Sequence, residues 1–105
     1  MEKAKCFKQS EVFPAIAKAI RTVHETTREF VTHDRLVEAL MDDPVIRITL
    51  DAAPKRGCLL SGRALVSNMV AWFSRRITAK TSKYQHDFER VKLAGKWAYK
   101  PSMDS

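Results

Sequence analysis

The chain changes rhythm along its length, first helical and then alternating. From Phe13 onward apolar positions return every three or four residues, at Phe13, Ile16, Ile20, Val23, Thr27 and Phe30. That spacing gathers them on one face of a helix, while Lys18, Arg21, Glu25, Arg28 and Glu29 fall on the other side. It predicts a first helix over residues 11–29, with Ser10 as its N-cap and Pro14 in the first turn, where proline is tolerated. The β-branched, apolar "FVT" of Phe30–Thr32 then reads as one short strand or a connector. Thr32 is placed to cap a second helix over His33–Asp42, with Asp34 in the first turn complementing the dipole and Leu36, Val37, Leu40 and Met41 as the buried stripe.

"DDPVIRITLDAAPKRG" carries two opposed signals. Asp43 before Pro44 starts a helix. Val45, Ile46, Ile48 and Thr49 are β-branched and favour a strand. The Asp-Pro start and the following "LDAA" tip the reading towards a short helix, with a strand over 44–53 left open; Pro54 and Gly57 close the element. Ser61 is the next cap candidate. "GRALVSNMVAWFSRRI" places Leu65, Val66, Met69, Val70, Phe73 and Ile77 on one stripe and predicts a helix from Gly62 to Thr78.

After "TAKTSKYQHD" the period drops to two. Phe88–Leu93 and Lys96–Lys100 read as paired strands joined at Ala94-Gly95, where glycine supplies the positive φ that such turns need. Alternation assigns Val91, Leu93, Trp97 and Tyr99 to the inward face and sends Arg90, Lys92, Lys96 and Lys100 outward together. The expected fold is α+β and mostly helical: three or four helices followed by a C-terminal two-stranded β-hairpin. At 105 residues one core is the default. Residues 1–10 read as an N-terminal arm, 11–100 as a single domain and 101–105 as a tail.

Charge sharpens this picture. The net charge is +7, and residues 62–105 hold nine Lys and Arg against three Asp and Glu, so nearly all the excess lies in the C-terminal part. A one-sided positive field suits an anionic partner, although a basic surface with no specific partner has the same composition. No apolar run approaches the roughly 20 residues that cross a bilayer, and the first residues carry no apolar signal-peptide core. The expectation is a cytoplasmic protein that does not engage a membrane. Cys6 and Cys58 lie far apart with no CxxC or neighbouring histidine, which reads as two reduced thiols packed as small hydrophobes and no metal site.

The element order resembles the winged helix-turn-helix class of DNA-binding domains over residues 11–100, nearly the whole chain. The resemblance rests on order and on the closing hairpin, not on a diagnostic motif. The link from Asp43 to Leu60 is longer than a tight helix-turn-helix has, and an extra short helix there would reconcile it. The class implies a recognition helix in the major groove, a hairpin wing on the backbone, and often a homodimer on paired half-sites. On the long helix this assigns Arg63, Ser67 and Asn68 to base contacts, because Arg pairs with guanine and Asn with adenine through two hydrogen bonds each. Arg75, Lys80, Lys83, Arg90, Lys92 and Lys96 become the candidate phosphate contacts. Each has a plain alternative: a solvated helix face, a cation offsetting the helix dipole, or charges that protect an edge strand. Trp97 and Tyr99 read as core rather than as stacking platforms.

Catalysis has no foothold in the sequence. His24, His33 and His86 are scattered, and no GxSxG, P-loop, HExxH or GxGxxG occurs. The reading is a small basic DNA-binding protein, in the manner of a transcriptional regulator, needing no cofactor. Its alternatives are a protein-interaction module with a helical groove and a basic face, and an RNA-binding protein.

Overall fold

The computed structural model describes residue 7, residues 9–78 and residues 88–101. Its order is α1 (Gln9–Thr27), β1 (Val31–Thr32), α2 (His33–Met41), α3 (Pro44–Ala52), a 3₁₀ turn (Ala53–Arg56), α4 (Gly62–Thr78), β2 (Phe88–Leu93) and β3 (Lys96–Pro101). This is an α+β, mostly helical fold closed by an antiparallel hairpin. The helix starts explain the boundaries. Thr32 accepts from the Arg35 amide at 3.2 Å and starts α2. Asp43 Oδ1 accepts from the amides of Val45 at 2.9 Å and Ile46 at 3.2 Å. That cap, with Pro44 in the first turn, decides the ambiguous segment as helix. The β-branched Ile46 and Thr49 then share its buried face at helical spacing, while Val45 and Ile48 stay exposed.

Two expectations at the N-terminus are corrected. α1 begins at Gln9, so Ser10 lies inside its first turn and not at its cap. Phe7, assigned to a loose arm, is buried against the core. At the other end β3 runs through Pro101, one residue into the expected tail.

The core is continuous across all four helices and the sheet. Val12, Phe13, Ile16 and Ile20 of α1 meet Leu36, Val37 and Leu40 of α2 and the full predicted stripe of α4. Phe73 lies at the centre, edge-on to Phe13 at 5.3 Å and to Phe88 at 5.7 Å between ring centroids. The hairpin does not stand alone. β1 pairs with β3, so the sheet has the order β1-β3-β2 with β3 in the middle.

The register overturns the predicted faces of the hairpin. Leu93 pairs with Lys96, Lys92 with Trp97 and Arg90 with Tyr99. A two-residue turn pairs odd positions of one strand with even positions of the other. Val91 and Leu93 therefore cannot share a face with Trp97 and Tyr99. One face carries Phe88, Arg90 and Lys92 opposite Pro101, Tyr99 and Trp97, while the other carries Glu89, Val91 and Leu93 with Lys100, the fully buried Ala98 and Lys96. The four cations expected to point outward together are split between the faces.

The turn also stores strain. Ala94 and Gly95 have φ of 51° and 83°, the positive pair typical of a two-residue hairpin turn. Glycine adopts this freely and alanine does not. Ala94→Asn should raise the thermal midpoint, with a gain of about 1 kcal/mol. A lower midpoint in scanning calorimetry would show that the turn does not need the left-handed conformation.

Candidate nucleic-acid interface

The candidate residues fall into two groups, distinguished by what already holds them. The first gathers where the N-terminus of α4 meets α2 and the hairpin tip. Arg63 pairs with Glu38, and Lys96 Nζ donates to Asp34 Oδ2 at 2.7 Å. All four side chains are largely exposed. Lys96 is the main reason that the Asp34 carboxyl titrates below the usual range, first through the hydrogen bond and then through its charge. Beside them His33 Nε2 lies 2.8 Å from Ser67 Oγ. Burial lowers the His33 pKa; Lys96 adds to this and Asp34 opposes it. Burial thus disfavours the charged imidazole, and Ser67 is engaged with it. Asn68 is half-buried one residue on.

This part of the surface is less positive than a count along the chain implies. Asp34 and Glu38 belong to a helix far away in sequence, and both face cations assigned to DNA. Exposed pairs of this kind contribute little stability. Arg63, expected to contact a base, is instead engaged with Glu38.

The second group runs from the outer side of α4 into the hairpin. The Arg75 guanidinium sits 5.1 Å from the Trp72 ring centroid. Ser74, next to it, is buried and accepts from Arg90 Nη1 at 2.5 Å through its hydroxyl and 3.2 Å through its carbonyl. The Arg90 guanidinium then lies 3.8 Å over Trp97, diagonal to it across the strands, and Lys92 Nζ lies 5.3 Å from the same ring. Arg90 thereby ties Ser74 of α4 to a row with Trp97 and Lys92 on the hairpin, while Arg75 against Trp72 is a separate contact on the exposed side of α4.

The roles within this row differ. Arg90, assigned to phosphate contact, ties the hairpin to α4 and is half-buried. Lys92 is exposed at the open end. Tyr99 is fully buried beside Ser74, and its hydroxyl makes no hydrogen bond of good geometry among the described residues. Burial pushes its phenol pKa up, partly offset by Ser74 and Arg90. On the face opposite Arg90, Lys100 sits 3.9 Å from Glu89 and 5.0 Å from the Phe30 ring. Lys80 and Lys83 lie outside the described residues.

Trp72 was missed in the sequence because it sits inside an apolar-looking run. Its signal is positional: it precedes Phe73 and falls one step off the Leu65–Val66–Met69–Val70–Phe73 stripe. Comparison of the chain with protein-family models, with curated proteins and with solved structures finds no match.

Proposed function

We propose that this is a small winged-helix-like DNA-binding protein that acts by occupying duplex DNA, without catalysis, as a transcriptional regulator does. The observation that carries the reading is the link from Ser74 of α4 through Arg90 and Trp97 to Lys92 on the hairpin. It joins the long helix to the hairpin in the part of the chain that holds most of the excess charge. The element order on which the winged-helix resemblance rests, including the extra helix between α2 and α4, supports the same reading. α4 would lie in the major groove and the hairpin against the phosphates. A homodimer on paired half-sites belongs to this proposal.

The test is a fluorescence-anisotropy titration of duplex DNA at two salt concentrations. Affinity should fall with salt, and Lys92→Ala should lower the slope of log affinity against log salt by about 0.9, the value of one phosphate contact. Lys96→Ala should do less, because Asp34 already neutralises that ammonium. Absence of any salt-dependent affinity in the wild type would overturn the proposal, and equal affinity for duplex RNA would move it to RNA.

A protein-partner reading has its own support. Ile48 is 70% exposed and Leu59 fully exposed, and Val45 and Leu60 are also open to solvent. A groove of about 240 Å³ between α1 and the α2–α3 junction, lined by Lys18, Thr22, Val23, Ala39, Asp42 and Pro44, is smaller than typical ligand sites. Charge favours the DNA reading, because neither feature uses the basic C-terminal part.

A further inference from the structure

Resting on the DNA-binding reading, we infer that Trp72 is a stacking platform for an unpaired base, so that the protein grips single-stranded or locally opened DNA at the outer side of α4. The two tryptophans are in different situations. Trp97 packs against the core and is covered by Arg90 at 3.8 Å. Trp72 does not belong to that packing and is 40% exposed. Every neighbour on the buried stripe of α4 is in the interior, so the core does not require an indole at this position.

The surroundings of Trp72 favour a flat anionic ligand. Ala64, Asn68, Trp72 and Arg76 succeed one another at four-residue intervals along α4, and helical side chains lean towards the N-terminal turn. Trp72 therefore leans towards the turn that carries Asn68, with 40% of its surface open to solvent. The Arg75 guanidinium lies over one face of the ring at 5.1 Å, so a base would stack on the opposite face with this cation close enough to meet its phosphate. Base stacking on an aromatic ring tolerates any sequence, because every base presents a π-face, and a flanking Arg strengthens it. In an intact duplex the faces of the bases are occupied by their neighbours. This platform is therefore used only where a base is unpaired.

The experiment titrates a mixed-sequence single strand of about 15 nucleotides and the corresponding duplex against wild type, Trp72→Leu and Trp72→Phe at one salt concentration. Trp72→Leu should weaken single-strand binding by roughly tenfold, the loss of one stacked base, and leave duplex affinity within about twofold. Trp72→Phe should keep most of the single-strand affinity, and melting curves of both variants should match wild type because the side chain lies outside the core. Single-strand affinity unchanged in Trp72→Leu overturns the inference while leaving duplex binding intact. An equal loss on both DNAs also overturns it, because the contact would then not depend on an unpaired base. Wild-type self-association in sedimentation that is abolished by Trp72→Leu, with single-strand affinity unchanged, overturns it in favour of a protein-facing tryptophan. A wild type that binds neither DNA removes the DNA reading itself, and this inference with it.

Discussion

Replacing Phe73 by alanine should destabilise the protein by about 3–5 kcal/mol, the range for emptying an aromatic site in a packed core. Phe73 has no solvent exposure and joins three separate elements, α1 through Phe13, β2 through Phe88 and its own α4. The edge-to-face contacts at 5.3 and 5.7 Å contribute beyond simple burial. Both disappear with the ring, and the surrounding stripe can collapse only partly into the space. A domain of this size has a total stability of about 5–15 kcal/mol, so the loss is a large fraction of the whole. The thermal midpoint should fall by more than about 10 °C. Chemical denaturation should show a lower midpoint with an unchanged slope. Phe73→Leu should recover part of the loss, and the exposed Trp72→Leu next to it should cost less than about 0.5 kcal/mol. An Ala variant as stable as wild type would mean that the packing of α4 against α1 and the sheet is wrong.

That contrast between neighbouring positions shows what was legible in the sequence. The stripe of α4 could be read because burial on a helix follows a period that the apolar residues display directly; all six predicted positions from Leu65 to Ile77 are buried. α3 was legible at its cap and ambiguous in its body, since β-branched residues serve either a strand or the buried side of a helix. The hairpin was legible as a pair of strands but not in its faces. Each strand alternates, yet the turn length sets the phase between them, and a two-residue turn pairs odd with even positions. Applying that parity would have put Arg90 and Lys92 beside Trp97 and Tyr99 from the outset.

The electrostatics of the candidate site were less legible for a different reason. Charge counted along the chain assigns Arg63 and Lys96 to a basic region because no acid is near them in sequence. Their partners Glu38 and Asp34 lie 25 and 62 positions away. The His33–Ser67 contact spans 34 positions. Local spacing carries no information about such contacts; they follow from α2 packing against α4 and the hairpin tip reaching α2. The net positive field survives, because the chain as a whole keeps its +7. Its distribution shifts from the N-terminus of α4 towards Arg90 and Lys92 on the hairpin.

Reducing the protein should lower its stability by about 2–4 kcal/mol, the usual contribution of a disulfide. Spacing along the chain reads Cys58 as a reduced thiol, but it is disulfide-bonded. A bridge needs only two Cα atoms within about 4.4–6.8 Å, which separation along the chain does not report. Cys58 follows the 3₁₀ turn, its amide donates to Ala53 O at 3.2 Å, and its side chain packs against the core. It anchors the link leading into α4, next to the fully exposed Leu59. The cross-link restricts the unfolded chain more than the folded one, so its removal favours unfolding without requiring a change in the native packing. A thermal melt with and without dithiothreitol should show the midpoint dropping by about 10 °C or more. Cys58→Ala should melt near the reduced wild type and should not respond to the reductant. An oxidised wild type that melts where the reduced form does would mean that the bridge contributes nothing. The result also bears on the compartment expected from the sequence. Thiols stay reduced in a cytoplasm and disulfides persist in oxidising surroundings. A cytoplasmic protein of this sequence would therefore work in its less stable form, with the link into α4 held by packing alone.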